Sequence, residues 1–370
     1  MKETLIRNLW YVAGSSDEFA PGKLVGQTIV GLPLVLWRSD AGDVVAFDGR
    51  CCHKKMPLAS GTLLGNGTLE CAYHGLCFDT QGKCVKIPSQ PGRPIPSRAK
   101  LRPYPIVEQD GQVWIWMGDE ANLELRPPHI PELVSEDWEM IRVQNALVPT
   151  NYLLLIENLL DISHFYPLHD GNIGDIANSE IPVEFSNDSI QGNRSVASFR
   201  EAHSYRHPPY LEDFFGYTIV DRQHTHKMIS PAVVRVDLTC APPGELGTKA
   251  ERGYILTHVI TPIDERSHRW RVFACCRAGH RWPTDPSVST VRRVADQFPS
   301  VIAEDLWALG EQQKMIDMPE THYAGEMHLR SDTGVLKARE IVRAMVAAEA
   351  NVPEAKAPAA KVSAAKAAAA

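Results

Sequence analysis

No stretch of this chain approaches the run of about 18 apolar residues that a membrane-crossing helix needs, so no such span is expected. The opening MKETLIRNLWYVAG has no apolar core of the kind a secretory leader carries, and a cytoplasmic protein is expected. No Gly-rich dinucleotide fingerprint follows a strand pattern and no flavin motif is visible, so neither cofactor is expected to bind directly. Excess positive charge is absent too: the formal net charge of −7 argues against a nucleic-acid footprint. Internal repeats are lacking. Cysteine is sparse, with eight in 370 residues, which excludes a disulfide framework. Five of the eight (Cys51, Cys52, Cys71, Cys77, Cys84) nevertheless crowd into 34 residues, a pattern of metal binding in a reducing compartment. Cys240, Cys275 and Cys276 read as small buried hydrophobes.

At 370 residues and 41.1 kDa the chain is long enough for two domains. Residues 28–48 alternate in short β-rich runs, and VWIWMGD at 113–119 closes the same pattern, so residues 1–125 read as all-β. Pro88, Pro91, Pro94 and Pro96 favour a rigid irregular cover there. The connector ELRPPHIPEL then leads to residues 126–350. Within them NYLLLIENLLDISHFY reads as a helix, because Leu154, Asn158, Asp161 and Phe165 follow a step of three or four. SVASFREA, YTIVDR, AVVRVDLTCA, GYILTHVITPI and HRWRVFACC read as strands of an antiparallel sheet, and helices are expected at 288–298 and 300–316. The class is therefore α+β: an all-β domain, then an antiparallel sheet flanked by helices. Residues 351–370, almost all Ala, Lys and Pro, read as a low-complexity tail that does not order itself.

Two constellations carry chemistry. Cys51-x-His53 and Cys71-x-x-His74 are separated by 17 residues, and each pair mixes one thiol with one imidazole. A Rieske [2Fe–2S] cluster needs this set, with two Cys on one iron and two His on the other. A closed Cys2His2 zinc site is the rival, although zinc pairs more often read Cys with Cys and His with His. Lys54-Lys55 follows the first histidine, and from Lys83 to Arg102 there are six basic residues and no acid. That collar either steers an acidic electron donor or is merely solvated loop charge.

Downstream, Asp161-x-x-His164-x4-His169 offers two imidazoles and a carboxylate, the donors of a mononuclear iron with open positions. On a helix Asn158, Asp161 and His164 share one side. His169 would point away, and Pro167 is expected to break the helix before it. Any one of these histidines alone would read as an ordinary hydrogen-bonded residue. Leu155, Leu159, Phe165, Phe214, Phe215 and Trp307 are candidates for a pocket lining or for plain core.

CCHKKMPLASG and CAYHGLCFDTQGKC resemble the cluster loops of the Rieske non-haem iron oxygenases, and RNLWYVAGSSDEF at 7–19 is similar to the start of the oxygenase (α) component in the vanillate and dicamba O-demethylase subgroup. The likeness runs to about Gln313. It implies a low-potential cluster on Cys51, His53, Cys71 and His74, without the disulfide of respiratory Rieske proteins, since Met56 and Ala72-Tyr73 stand in the corresponding places. Lys54-Lys55 replaces the usual Arg-Gly, and Leu76 a usual Trp. The resemblance also makes His164, His169 and Asp305 the ligands of a mononuclear Fe(II), with Glu304 beside Asp305 as the acid easily mistaken for it. Asp161 becomes a bridge and Asn158 a nearby polar residue.

A head-to-tail homotrimer is further implied, in which Asp161 links His74 of one subunit to His164 of the next. NAD(P)H would act through a separate flavin reductase, with or without a ferredoxin. The implied reaction uses O2 to hydroxylate an aromatic small molecule, with O- or N-dealkylation releasing formaldehyde or another aldehyde. A ring-hydroxylating dioxygenase giving a cis-diol is the alternative. A non-enzymatic Rieske electron carrier is a third reading, and it would make the second His/Asp set accidental.

Overall fold

The computed structural model describes residues 5–123, 126–186, 195–319 and 325–350; the expected tail at 351–370 lies outside them. Short alternating runs in the first third pair into three small antiparallel sheets. One joins Trp10–Ser15, Gln112–Trp116 and Ile106–Gln109, and a second joins Val25–Ile29, Leu32–Arg38, Val44–Asp48 and Pro103–Tyr104. The third, Thr62–Leu63, Leu69–Glu70, Cys77–Phe78 and Cys84–Lys86, rises between and beyond the two Cys/His loops. These loops have a core of their own: Trp37 stacks on Phe47 with ring centroids 5.3 Å apart, and Leu58, Leu69, Phe78 and Leu101 close around them.

The second half is organised by one seven-stranded antiparallel sheet, in the order Trp138–Val148, Ser267–Arg277, Arg252–Asp264, Val233–Ala241, Ile219–Ser230, Val196–Arg206, Glu184–Ser186. All five strand segments read from sequence are present. Trp138–Val148 is an addition, since its mixed WEMIRVQNALV carries only a weak alternation. The strand Ile219–Ser230 is longer than YTIVDR suggested. Its inward positions continue as Arg222, His224, His226 and Met228, so a polar residue sits where an apolar one marks a strand. The two halves are joined along their main chains: Val30 and Gly31 donate N–H to the carbonyls of Pro262 and Ile263 at 2.9 and 2.7 Å. Thr261 Oγ1 donates to Val12 O at 2.8 Å, and the buried Arg271 reaches Ala13 O at 3.2 Å.

Three helices matter for the site. The first, Tyr152–Leu160, starts on Asn151, whose side chain accepts from Leu153 N–H at 2.9 Å. It stops earlier than expected, at Leu160. Asp161 is extended (φ −87°, ψ 110°) and its Oδ1 accepts from Ser163 N–H at 2.7 Å, a local turn that competes with helix continuation. Asn158, Asp161 and His164 therefore do not lie on one helix. Nor does Pro167 make the break: it sits in the first turn of the short helix Phe165–Leu168, where no N–H is required. The expected pair 288–298 and 300–316 is one helix, Thr290–Ile316, which runs through Pro299 and forgoes the hydrogen bond that the missing N–H would have made.

The last helix, Thr333–Ala350, was not legible as one, although Val335, Ala338, Ile341 and Val342 follow helical spacing and are buried. Its Arg339 grips both carboxylate oxygens of the buried Glu157 on the first helix. Burial pushes the Glu157 carboxyl above its ordinary range even with that partner present. Removing one member of such a pair leaves an uncompensated buried charge. Arg339→Met is expected to destabilise the protein by about 3 kcal/mol in urea unfolding, and the Glu157→Met/Arg339→Met double variant to recover most of it. A single variant as stable as the parent would contradict the assignment.

Candidate active site

The two Cys/His loops have the same backbone design. Cys51 N–H donates to Met56 O and Lys55 N–H to Cys51 O, both at 2.9 Å; Cys71 N–H donates to Leu76 O at 2.8 Å and Gly75 N–H to Cys71 O at 3.0 Å. Both loops turn through a left-handed residue, Lys55 at φ 57° and Gly75 at φ 66°. The matched loops bring Cys51 and Cys71 together in the interior, where burial, with Cys71 adding to it, pushes the Cys51 thiol up to about 11. They also aim the exposed His53 and His74 at each other, with the Nδ1 atoms 3.2 Å apart. Two thiols inside and two imidazoles at the rim match the split donor set of a Rieske cluster. Cys52 is exposed, outside the buried thiol pair.

The second constellation is assembled from separate elements. His164 precedes the short helix Phe165–Leu168, His169 follows it, and Asp305 projects from Thr290–Ile316. Their donor atoms lie within 4.8 Å of one another. Asp305 Oδ1 is 3.7 Å from His164 Nε2 and 3.4 Å from His169 Nε2, and it accepts a hydrogen bond from Asn158 Nδ2 at 3.0 Å. Asp161 stands behind His164, with Oδ2 3.6 Å from Nδ1. Burial disfavours the Asp161 charge, but His164 and the Ser163 N–H outweigh it and hold the carboxyl below its usual range. Gly174 matters to the placing of His169. Its N–H caps His169 O at 2.7 Å, and a Cβ there would also lie 2.7 Å from that oxygen.

A largely apolar cavity of about 40 Å3 opens between these donors and the sheet. Leu159 and Phe165 line it, as do three histidines from the strands. His226 donates from Nδ1 to Leu159 O at 2.5 Å and receives His224 Nε2–H at 3.0 Å; His224 Nδ1 faces Arg222 Nη2 at 3.4 Å. Every nitrogen of that pair is therefore committed. Burial lowers His226 to about 4 and drives His224 well below its ordinary range, so both stay neutral. His258 differs. The Trp270 indole N–H donates to its Nδ1 at 3.2 Å, leaving Nε2–H as a buried donor at the cavity wall without a partner among the described residues.

Sequence comparison matches residues 9–105 to the Rieske [2Fe-2S] domain and residues 148–348, more than half of the chain, to the vanillate O-demethylase oxygenase C-terminal domain. The chain belongs to the Rieske non-haem iron oxygenases. Within that family it is 33% identical to the iron-sulfur subunit of the toluene-4-sulfonate monooxygenase system of Comamonas testosteroni, over 72% of this chain and 77% of the relative. It is 28% identical to a vanillate O-demethylase oxygenase subunit of Pseudomonas sp. (strain HR199 / DSM 7063), over 93% and 95%. Dicamba monooxygenase bound to dicamba superposes with a TM-score of 0.80 at 27% identity, covering 93% of this chain and 98% of that one. This Rieske oxygenase is thus an enzyme, the oxygenase component of a multicomponent system. No helix among its described residues is long and apolar enough to cross a membrane.

All nine residues singled out from the sequence of this Rieske oxygenase fall in one or other constellation: Cys51, His53, Cys71 and His74 in the loops, and Asn158, Asp161, His164, His169 and Asp305 around the convergent donors. The pocket candidates divide. Leu155, Phe214 and Phe215 are core, while Trp307 is exposed on an outer groove that also reaches Asp161 and His164. His224, His226 and His258 were missed. Polar residues alternating inward along DRQHTHKM and THVITP were the available signal.

Lys55 supplies a direct test of the loop design. The left-handed conformation costs a side-chain-bearing residue about 1–2 kcal/mol, and glycine gives back about 0.4–1 kcal/mol through its freer unfolded chain. Lys55→Gly is expected to stabilise the cluster-loaded protein by a net amount on the order of 0.5 kcal/mol, seen as a raised urea midpoint; a lowered midpoint would refute the strain.

Proposed function

We propose that this chain is the terminal oxygenase of a monooxygenase system that removes an alkyl group from an aromatic ether or amine. Cys51 and Cys71 would hold one iron of the Rieske cluster and His53 and His74 the other, while His164, His169 and Asp305 would hold a mononuclear Fe(II). With both groups bound, the enzyme gains a one-electron relay and a centre at which O2 is reduced. The observation that carries the reading is the convergence of His164 Nε2, His169 Nε2 and Asp305 Oδ1 at the edge of a largely apolar cavity.

The side chains define what the substrate meets. Apolar walls take a ring and exclude water. The His258 Nε2–H, its tautomer fixed by Trp270, donates to an acceptor on the substrate and so sets its orientation. His224 and His226 are spent on each other and on Leu159 O, so they shape the wall without binding. Hydroxylation of a methyl group on oxygen or nitrogen gives a hemiacetal or carbinolamine, which collapses to the phenol or amine and formaldehyde. Overall, one O2, two electrons and two protons yield hydroxylated product and water, with electrons drawn from NAD(P)H by a separate reductase, directly or through a ferredoxin.

The relatives support dealkylation and also leave a competing chemistry in view, since a 3-chlorobenzoate-3,4-dioxygenase oxygenase subunit is 34% identical over 46% of this chain. Aerobic turnover with a generic reductase against methoxy- and N-alkyl-aromatics is expected to release formaldehyde in step with substrate loss, from protein holding about three iron atoms per chain. Formation of cis-diols without formaldehyde would replace this reading with the dioxygenase one.

Asp161 is assigned the link between subunits. In a ring of three chains it would stand between His74 of one copy and His164 of its neighbour, and by closing its 3.6 Å gap to His164 Nδ1 it would accept from an imidazole on each side and fix both tautomers. Asp161→Asn is expected to keep both irons and the cluster EPR signal while formaldehyde release falls at least tenfold. Undiminished turnover would remove the link.

A further inference from the structure

Glu304 neighbours Asp305 on the helix Thr290–Ile316 but stands outside the convergent donor set. Its Oε2 lies 2.6 Å from His169 Nδ1, while Asp305 Oδ1 faces the other nitrogen of the same ring at 3.4 Å. Two consecutive residues of one helix thus take the imidazole from both ends. The outer contact is itself secured. Asn172 donates from Nδ2 to Glu304 Oε1 at 3.3 Å and to Ser300 Oγ at 2.8 Å, and its own Oδ1 accepts from Gln297 Nε2. His169 is almost fully buried, at 1% side-chain exposure, so little else can decide which way its ring faces.

The first histidine has no such hold among the described residues. His164 Nδ1 is buried without a hydrogen-bond partner among them, and Asp161 Oδ2 stands 3.6 Å away, beyond hydrogen-bond reach.

We propose that Glu304 is the positioning residue of His169: by accepting the Nδ1–H it fixes the ring's orientation and leaves Nε2 as the nitrogen that a metal held beside Asp305 would take. This rests on the reading that His169 and Asp305 hold the mononuclear iron. A neutral imidazole has one N–H, and a carboxylate acceptor at one nitrogen assigns the lone pair to the other. Such an outer carboxylate also raises the basicity of the ligating nitrogen, and losing it typically costs 10–100-fold in metal affinity. The helix Thr290–Ile316 would then set two of the three ligands, Asp305 directly and His169 through Glu304.

The test uses the full chain with its cluster intact and the mononuclear site emptied, titrated anaerobically with Co(II). Glu304→Ala is expected to weaken Co(II) binding about 10–100-fold and to alter the ligand-field spectrum of what does bind. Glu304→Gln, which keeps an acceptor for Nδ1–H, should restore most of the affinity. Glu304 is 32% exposed, so thermal unfolding and the cluster EPR signal should match the parent in both variants. Parental affinity and spectrum in Glu304→Ala would overturn the proposal, and so would a Gln variant as weak as the Ala variant. His169→Ala is the control: if it bound Co(II) like the parent, the ligand reading itself would fall, separately from the role of Glu304.

Discussion

One oxygen atom organises this molecule. Asp305 Oδ1 faces two imidazole nitrogens and the amide of Asn158, all within 3.7 Å and largely out of water. Buried polar atoms are costly unless each has its partner, so the elements that deliver these four side chains must be held in register. The structure does this with further buried polar ties. Asn151 N–H donates to Gln313 Oε1 at 2.8 Å, fastening the first helix to the end of the helix that carries Asp305. Arg339 fastens the same first helix to the last one through Glu157, the residue next to Asn158.

The contrast between the histidines around the cavity follows from what their second nitrogen touches. His224 and His226 are neutralised and saturated, His258 is held with a donor pointing inward, and His169 is held with an acceptor pointing inward. Four rings of one residue type in one enclosed space thus acquire different properties without any difference in covalent chemistry. Proximity to the convergent donors His164 and Asp305 is therefore a poor guide to what each ring does.

The sequence disclosed most where spacing is short and chemistry is specific. The Cys/His pairs could be read because four candidate donors on two tight loops leave few alternatives, and the strands could be read because β-branched residues alternate over 6–11 positions. Helical geometry around His164 could not, because the decisive event is a side-chain hydrogen bond: Asp161 ends the helix by bonding Ser163 N–H, which periodicity does not register. Pro299 misled in the opposite sense, since tertiary packing carries the helix past a residue that on its own would stop it. Asp305 was reached through family likeness, as 135 residues separate it from His169 and no local pattern joins them. Glu304 illustrates the limit: from the sequence it was only the acid beside the proposed ligand Asp305, and its contact with His169 emerges once the chain is folded.

The seam between the cluster-bearing half and the large sheet combines carbonyl acceptors, those of Pro262, Ile263, Val12 and Ala13, with one continuous apolar core and with the ion pairs of Glu18 to Arg142 and Arg271. Main-chain acceptors are the same whatever side chain they carry. The carbonyl contacts therefore tolerate change at the residues that supply them while Thr261 and Arg271 remain in place, whereas the shared core and the Glu18 pairs tie the sequences of the two halves to each other.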